Sequence, residues 1–439
     1  MTNEDTRGRL RRRTVLRGAG AAGIVGLAGC LGGGGGGSGD GESGNDTNGS
    51  GGGSDGDGGG GSGELEIVHW WTAGGEQDAL NALLEGFEQE YSDVSVNNNP
   101  APGGAGSALD TVIKNRVLND DPPSTFQIWP GEALTPYTDA DILRDIGEDV
   151  WGEEMRNNYL QGVKDLAQPE GNFVAVPINI HRLNNLFYNV EVVESAGVDP
   201  ASVEETDAAP MAHQTKAPWS TVQLWETVFI GSEGADAFLD LVDGNVGDHE
   251  EAVRQSLSTL IDYEEHFNQD AGSISWDQAN SKVVEGDAAF IHQGDWAAGQ
   301  YKASEGFEYE SGWNNVAFPG TDGVYSVVTD SFVFPKSNPS PDATAKFLQY
   351  CGTVDAQERF NPIKGSIPPR TDVPDDEFGP FLTQQREDFG NSESQPPTIT
   401  HGTAVDPETK SNVEGAFANF IESWDVESAY SDLESALGN

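Results

Sequence analysis

Apolar positions along the chain alternate between short runs and helical stripes. Leu65, Ile67 and Val68 form a run of the kind a sheet-buried strand shows, and it stops at His69-Trp70-Trp71 and Thr72-Ala73-Gly74-Gly75. Leu80, Leu83, Leu84 and Phe87 follow at the spacing of one helix face. The exchange then repeats. A strand over 94–99 precedes a helix carrying Leu109, Val112, Ile113, Val117 and Leu118, and a short strand over 125–129 follows the helix-breaking Asp121-Pro122-Pro123. Residues 137–166 read as helices and loops, and FVAVPINI (173–180) as one buried strand. A second block brings helices over 224–229 and 250–267, then an amphipathic helix over 278–285 that feeds a strand over 288–292. The strand VYSVVTDSFVFP, a helix over 341–350 and two terminal helices complete the chain. This alternation predicts an α/β fold.

Tryptophans stand where predicted strands end: Trp70 and Trp71 after the first, Trp129 at the end of the third, and Gly294-Asp295-Trp296 after the strand over 288–292. Open α/β sheets bind ligands at the carboxyl ends of their strands. An indole face stacks well on the C–H face of a sugar ring, so a carbohydrate contact competes with plain hydrophobic packing. The loop Gly103–Gly106 lacks the Lys-Ser/Thr of a phosphate-binding loop and reads as a place where backbone approaches a ligand or neighbour.

Charge changes the picture next. Lys and Arg number 23 against 73 Asp and Glu, a net −50. Six arginines (Arg7, Arg9, Arg11, Arg12, Arg13, Arg17) precede Cys30, so 17 bases face 71 acids from there on. Molar salt shortens the Debye length to about 3 Å and screens such self-repulsion, which points to a salt-adapted protein of a halophilic archaeon. Ten Trp and nineteen Phe argue against disorder as the reason for the charge. Nucleic acid is excluded as a partner by the sign of the charge.

Residues 1–30 read as a targeting segment. Arg12-Arg13-Thr14-Val15-Leu16 resembles a twin-arginine export signal, Gly18–Gly29 is weakly apolar, and Leu27-Ala28-Gly29-Cys30 resembles a lipobox whose Cys30 becomes the lipidated terminus. Residues 31–63 are almost wholly Gly, Ser, Asp, Asn, Glu and Thr and read as a disordered hydrophilic tether. About 375 residues remain, enough for two lobes with separate cores. Cys351 has no internal partner beyond the lipobox, so no structural disulfide is expected and the thiol reads as a buried small apolar group.

The stretches HWWTAGGEQDAL, GGAG, DPPSTFQIWPG, VPINIHRLNNLFYN, QLWE, SWDQA, VVEGDAAF, GDWAAG, TDSFVFPK, FNPIKGSIPPR and His401-Gly402 together resemble, in content and order, the extracellular solute-binding proteins of ABC sugar importers. Bacterial glucose-binding proteins are the nearest pattern. The resemblance spans nearly all of the chain beyond residue 64. It implies a two-lobed periplasmic-binding-protein fold of the type II, maltose-binding-protein-like kind, with three crossovers and hinge closure on the ligand. The lobes would comprise 64–178 with 331–378, and 179–330 with 379–439.

Residue by residue, it implies ligand contacts at Trp70, Trp71 and Glu76 in the first loop, and at Gln127, Trp129 and Glu132 where the third strand ends. Trp129 stands where the family has histidine, which leaves the sugar's identity open. His181 and Arg182 match the first crossover, Trp276 the aromatic that stacks on the pyranose, and Asp295 and Trp296 a loop near the hinge. Asp330 matches the second crossover, and Lys364 and His401 two donors that close over the ligand. No catalytic residue, metal or cofactor is expected.

Physical chemistry supports this set independently, because a neutral hexose needs aromatic faces plus charged or amide groups for its hydroxyls. Plainer roles compete: His181-Arg182 as an interlobe pair, Asp295 as a helix cap, Lys364 and His401 as surface groups, and Trp276 as core. A secreted glycoside hydrolase, with two carboxylates among Glu76, Glu132 and Asp330, is the rival of another class. A different sugar or a polyol is the rival within transport. The expected protein is a monomeric, lipid-anchored receptor on the outer face of the membrane that hands a monosaccharide, glucose first, to an ABC permease.

Overall fold

The computed structural model describes residues 63–101, 106–197, 200 and 211–438. The leader with Cys30, the tether up to residue 62 and residues 103–105 of the glycine loop lie outside the described residues.

Eleven strands are present among the described residues: β1 Glu64–His69, β2 Ser95–Pro100, β3 Thr125–Ile128, β4 Ala175–Pro177, β5 His181–Arg182 and β6 Asn185–Asn189, then β7 Met211–Ala212, β8 Phe290–Gln293, β9 Trp313–Ala317, β10 Val327–Val328 and β11 Ser331–Val333. They form two main sheets, ordered β2-β1-β3-β11-β4 and β7-β8-β6-β9, with β10 and β5 as a small separate ladder. β1 lies parallel to β2 and β3, whereas β11 runs antiparallel to β3 and β4. In the second sheet β8 is parallel to β7 and antiparallel to β6.

The chain passes from the first sheet to the second between β4 and β6, and returns between β10 and β11. It leaves again between residues 364 and 379, since helix Val354–Lys364 packs on helix Gly75–Glu90 while Phe381 packs on Phe187 of β6 and Trp313 of β9. FVAVPINI and VYSVVTDSFVFP, each expected as one strand, are both interrupted at these crossings. The interruption is a hydrogen-bond exchange: Ile178 N donates to the Asp330 carbonyl, and Asp330 N donates to Asn179 Oδ1 at 2.7 Å.

The buried apolar residues form two clusters, the larger of which runs from the first sheet onto Phe187, Ile291 and Trp313 of the second. Leu65, Ile67, Phe126 and Phe332 of the first sheet meet Leu80, Leu83, Leu84 and Phe87, the predicted stripe of helix Gly75–Glu90. Around the second sheet, Trp225 and Phe229 of helix Trp219–Glu233 pack with Leu257, Leu260 and Phe417. A side chain of this size contributes about 1.5–3 kcal/mol when fully buried. Cys351 is a buried free thiol, as the sequence predicts, and burial pushes its pKa up. Among the described residues no helix is long and apolar enough to cross a membrane.

Candidate functional site

Strand ends and helix ends converge on one cavity of about 220 Å³. From the first sheet's side come Trp70 and Trp71 after β1, Trp129 after β3, Glu76 at the start of helix Gly75–Glu90, and Lys364 at the end of helix Val354–Lys364. The crossings contribute His181 and Asp330. From the second side come Trp276 at the start of helix Trp276–Val284, Trp296 after β8, and His401. Ten of the fourteen predicted residues therefore line the cavity. Six of the chain's ten tryptophans do so, Trp219 being the sixth.

Aromatic contacts fix the walls. Trp70 and Trp129 lie 4.8 Å apart at 53°, and Trp129 meets His401 edge-on at 5.1 Å. Trp296 stands edge-on to His181 at 5.2 Å. Trp71 is 1% exposed, wedged against Phe332 and Phe360. Trp276 remains half-buried, and its ring edge comes within contact distance of a Cβ built at Gly74, on the opposite wall. Gly74 takes φ +56°, a left-handed conformation that a side chain would strain.

Polar groups between these rings are paired. Lys364 Nζ lies 2.8 Å from Glu76 Oε1 and 5.8 Å from the ring centres of both Trp71 and Trp296. Burial pushes the Glu76 carboxyl up, against the opposing pull of Lys364. His181 stands between two carboxylates: Nδ1 bonds Asp295 Oδ1, and Nε2 lies 3.5 Å from Asp330 Oδ2. Burial and Lys364 disfavour a charged imidazole there, but the two aspartates outweigh them and raise its pKa. For Asp330, burial acts upward, yet His181, Lys364 and Asn179 together hold it at about 2. Burial, assisted by Lys410, drops His401 to about 3, so its ring is neutral near pH 7.

Four predicted residues do not line the cavity. Gln127 is fully buried behind it, accepting from Trp70 N and donating to Asp330 Oδ1, both at 3.1 Å. Glu132 is exposed in a 3-10 turn, Gly131–Leu134, and accepts from Thr135. Arg182 neighbours His181 on β5, and side chains alternate faces along a strand. With His181 facing the cavity, Arg182 turns away to Asp388 at 2.8 Å and stacks over Tyr325 at 5.1 Å. Asp295 is fully buried behind His181, where its Oδ2 accepts from Arg182 N. It does not cap the helix beginning at Ala297 through its side chain. Gln127 and Asp295 thus hold lining residues in place.

Sequence reasoning missed Trp219, Ser275 and Asp277 as lining residues. Trp219 opens a helix whose first twelve residues are all buried, so no polar face marks which side meets the cavity. Ser275 and Asp277 flank Trp276 at a helix start closed by a Ser275–Gln278 capping box, a pattern legible as S-x-x-Q.

Glu226, a buried residue of helix Trp219–Glu233, anchors the loop that presents His401. Its Oε1 accepts from Thr400 N at 2.7 Å and Thr400 Oγ1 at 2.6 Å, and burial lifts its pKa to about 7 despite these bonds. The unfolded chain releases this proton near pH ~4.3 while the fold retains it until about 7, so Glu226 lowers stability as pH rises across that window. Glu226→Gln keeps the acceptor and removes the titration. Urea unfolding in molar KCl is expected to show the variant gaining roughly 3 kcal/mol on the wild type between the ends of that window. Parallel pH profiles would contradict this role.

Comparison with known proteins agrees with this architecture. Residues 82–385 match the family model for bacterial extracellular solute-binding proteins. The chain is 38% identical over 391 residues to the xylose/arabinose-binding protein of Haloferax volcanii, covering 85% of this chain and 84% of that protein. It is 34% identical over 392 residues to an uncharacterized ABC transporter extracellular-binding protein of Pyrococcus horikoshii, covering 85% and 87%. Among solved structures, the bacterial solute receptor AcbH, described as exclusively preferring β-D-galactopyranose, superposes with a TM-score of 0.72 at 19% identity, over 86% of this chain and 98% of that one. The fold is that of two-lobed, maltose-binding-protein-like solute receptors. The chain belongs to the bacterial extracellular solute-binding protein family.

Proposed function

We propose that this chain is the receptor of an ABC sugar importer and that the cavity binds one monosaccharide. A single observation carries the reading: six tryptophans surround two buried ion pairs, Glu76–Lys364 and Asp330–His181. Indole faces suit the C–H faces of a sugar, and charge-assisted hydrogen bonds from the pairs suit its hydroxyl edge. At about 220 Å³ the space falls below the ~300–1,000 Å³ of drug-sized ligands, which favours one ring over a chain of them. Relatives named for sugar binding and for ABC transport support the role.

Glucose is the hexose expected from the sequence. A pentose is the second reading, favoured by the 38% identity to a xylose/arabinose-binding protein. The chain is not an enzyme on this account. Glu76 and Asp330, the carboxylates a hydrolase would use, are each tied to a buried cation, and Glu132 lies outside the cavity. Residues 64–178 with 331–378 form one lobe and 179–330 with 379–439 the other, closing by a hinge on the sugar. The twin-arginine segment, Cys30 and the tether hold this receptor, as a monomer, to the outer face of the membrane. The acidic surface adapts it to molar salt, so its unfolding midpoint should fall steeply in salt-free buffer; a fold that persists there for days would contradict that adaptation.

The reading is tested by unfolding midpoints in molar KCl with glucose, xylose, arabinose, galactose and a polyol present in turn. A ligand that binds only the folded state raises the midpoint with its concentration. No shift from any of these at millimolar concentration would overturn the monosaccharide assignment.

A further inference from the structure

Resting on the sugar-receptor reading, we propose that Asp277 sets the charge selectivity of the cavity, admitting neutral sugars and rejecting uronates and sugar phosphates. Pairing among the lining groups supports this. Lys364 is engaged by Glu76 at 2.8 Å, and His181 is engaged by Asp330 and by Asp295 behind it. Among the described residues no lining cation is left over for an anionic ligand. One lining carboxylate is left over, and it is Asp277.

Asp277 occupies the second position of helix Trp276–Val284, beside the half-buried Trp276. Its main-chain carbonyl is taken by Ser281 Oγ at 3.0 Å and Gln300 Nε2 at 2.9 Å, whereas no donor reaches its carboxylate among the described residues. Lys282, the nearest base along the same helix, is turned to Asp270 at 3.0 Å. The free oxygens of Asp277 therefore accept from ligand hydroxyls, and they meet any ligand carboxylate or phosphate as an uncompensated like charge. Salt screens exposed charges within a few ångströms at molar concentration, but charges in a partly enclosed cavity much less. Rejection of the wrong charge is a common route to specificity.

D-Glucuronate tests the idea, because it is D-xylose carrying a carboxylate at C5 and equally D-glucose oxidised at C6. Calorimetric titration of the full chain in molar KCl compares D-xylose, D-glucose and D-glucuronate. The wild type is expected to bind its better neutral sugar at least ~100-fold more tightly than glucuronate. In Asp277→Asn the neutral sugar should weaken by about tenfold, through loss of a charge-assisted bond, and the gap to glucuronate should narrow by at least ~10-fold. Glu285→Gln removes the same charge from the exposed end of that helix and should leave the gap unchanged. An unaltered gap in Asp277→Asn, or glucuronate binding as tight as the neutral sugar in the wild type, overturns the proposal while leaving the receptor reading standing. Failure of the wild type to bind either neutral sugar overturns the receptor reading itself.

Discussion

Trp276→Ala is expected to weaken sugar binding by about 2–4 kcal/mol, roughly 30- to 1,000-fold, with little change in the stability of the free protein. The asymmetry comes from where the ring lies. Trp276 is half-buried at the first turn of helix Trp276–Val284, and the capping box that secures this turn uses Ser275 and Gln278, not the indole. The core of its helix rests instead on Ala279 and Val283. Removing the indole strips one wall of the cavity opposite Gly74, and none of the neighbouring lining side chains, Ser275 and Asp277, offers an apolar face in its place. Titration of wild type and variant, with unfolding curves alongside, separates binding from folding. Unchanged affinity would remove Trp276 from the site.

Asp330→Ala is expected to cost about 3–5 kcal/mol of stability, because it breaks a buried charge network from one side. Asp330 Oδ1 accepts from Gln127 Nε2 at 3.1 Å, and Oδ2 accepts from Asn179 Nδ2 at 2.8 Å while facing the His181 imidazole. Truncation leaves the buried Gln127 amide without its acceptor, and the imidazole with Asp295 and the Asn179 amide but no second carboxylate. The loss has a pH signature. A carboxyl held at about 2 contributes stability that is complete above its ordinary range near pH ~4 and disappears as pH falls through about 2. Wild type and variant unfolding free energies should therefore converge by roughly 2–3 kcal/mol on acidification. A gap independent of pH would show that Asp330 is not held ionised by this network. Sugar affinity should fall as well, since the variant loses a charge-assisted acceptor on the cavity wall.

The legible parts of this molecule are those where one period decides the outcome. The stripe Leu80, Leu83, Leu84 and Phe87 places helix Gly75–Glu90, and the apolar run before Trp70 places β1, so the tryptophans after it fall at the carboxyl edge of the sheet. Positions governed by partners distant in sequence carry no such period. Arg182 and His181 read as one dipeptide motif, yet strand alternation sends them to opposite faces of β5. Gln127 and Asp295 carry polar groups suited to a sugar but are spent on Trp70, Asp330, His181 and Arg182. Trp219 is invisible for the opposite reason: its helix is buried on every side at that end, so hydrophobic periodicity does not separate a cavity wall from core. Among the described residues no donor reaches the Asp277 carboxylate, and such a carboxylate looks in sequence like the many other acids of this chain.

Calorimetric titration of a neutral monosaccharide into the full chain in molar KCl tests the central claim most directly. Saturable binding of one sugar per chain, abolished or severely weakened by Trp276→Ala, is the result predicted by a cavity walled by six tryptophans around Glu76–Lys364 and Asp330–His181. Absence of heat and of any tryptophan fluorescence change with glucose, galactose, xylose or arabinose at millimolar concentration would contradict it.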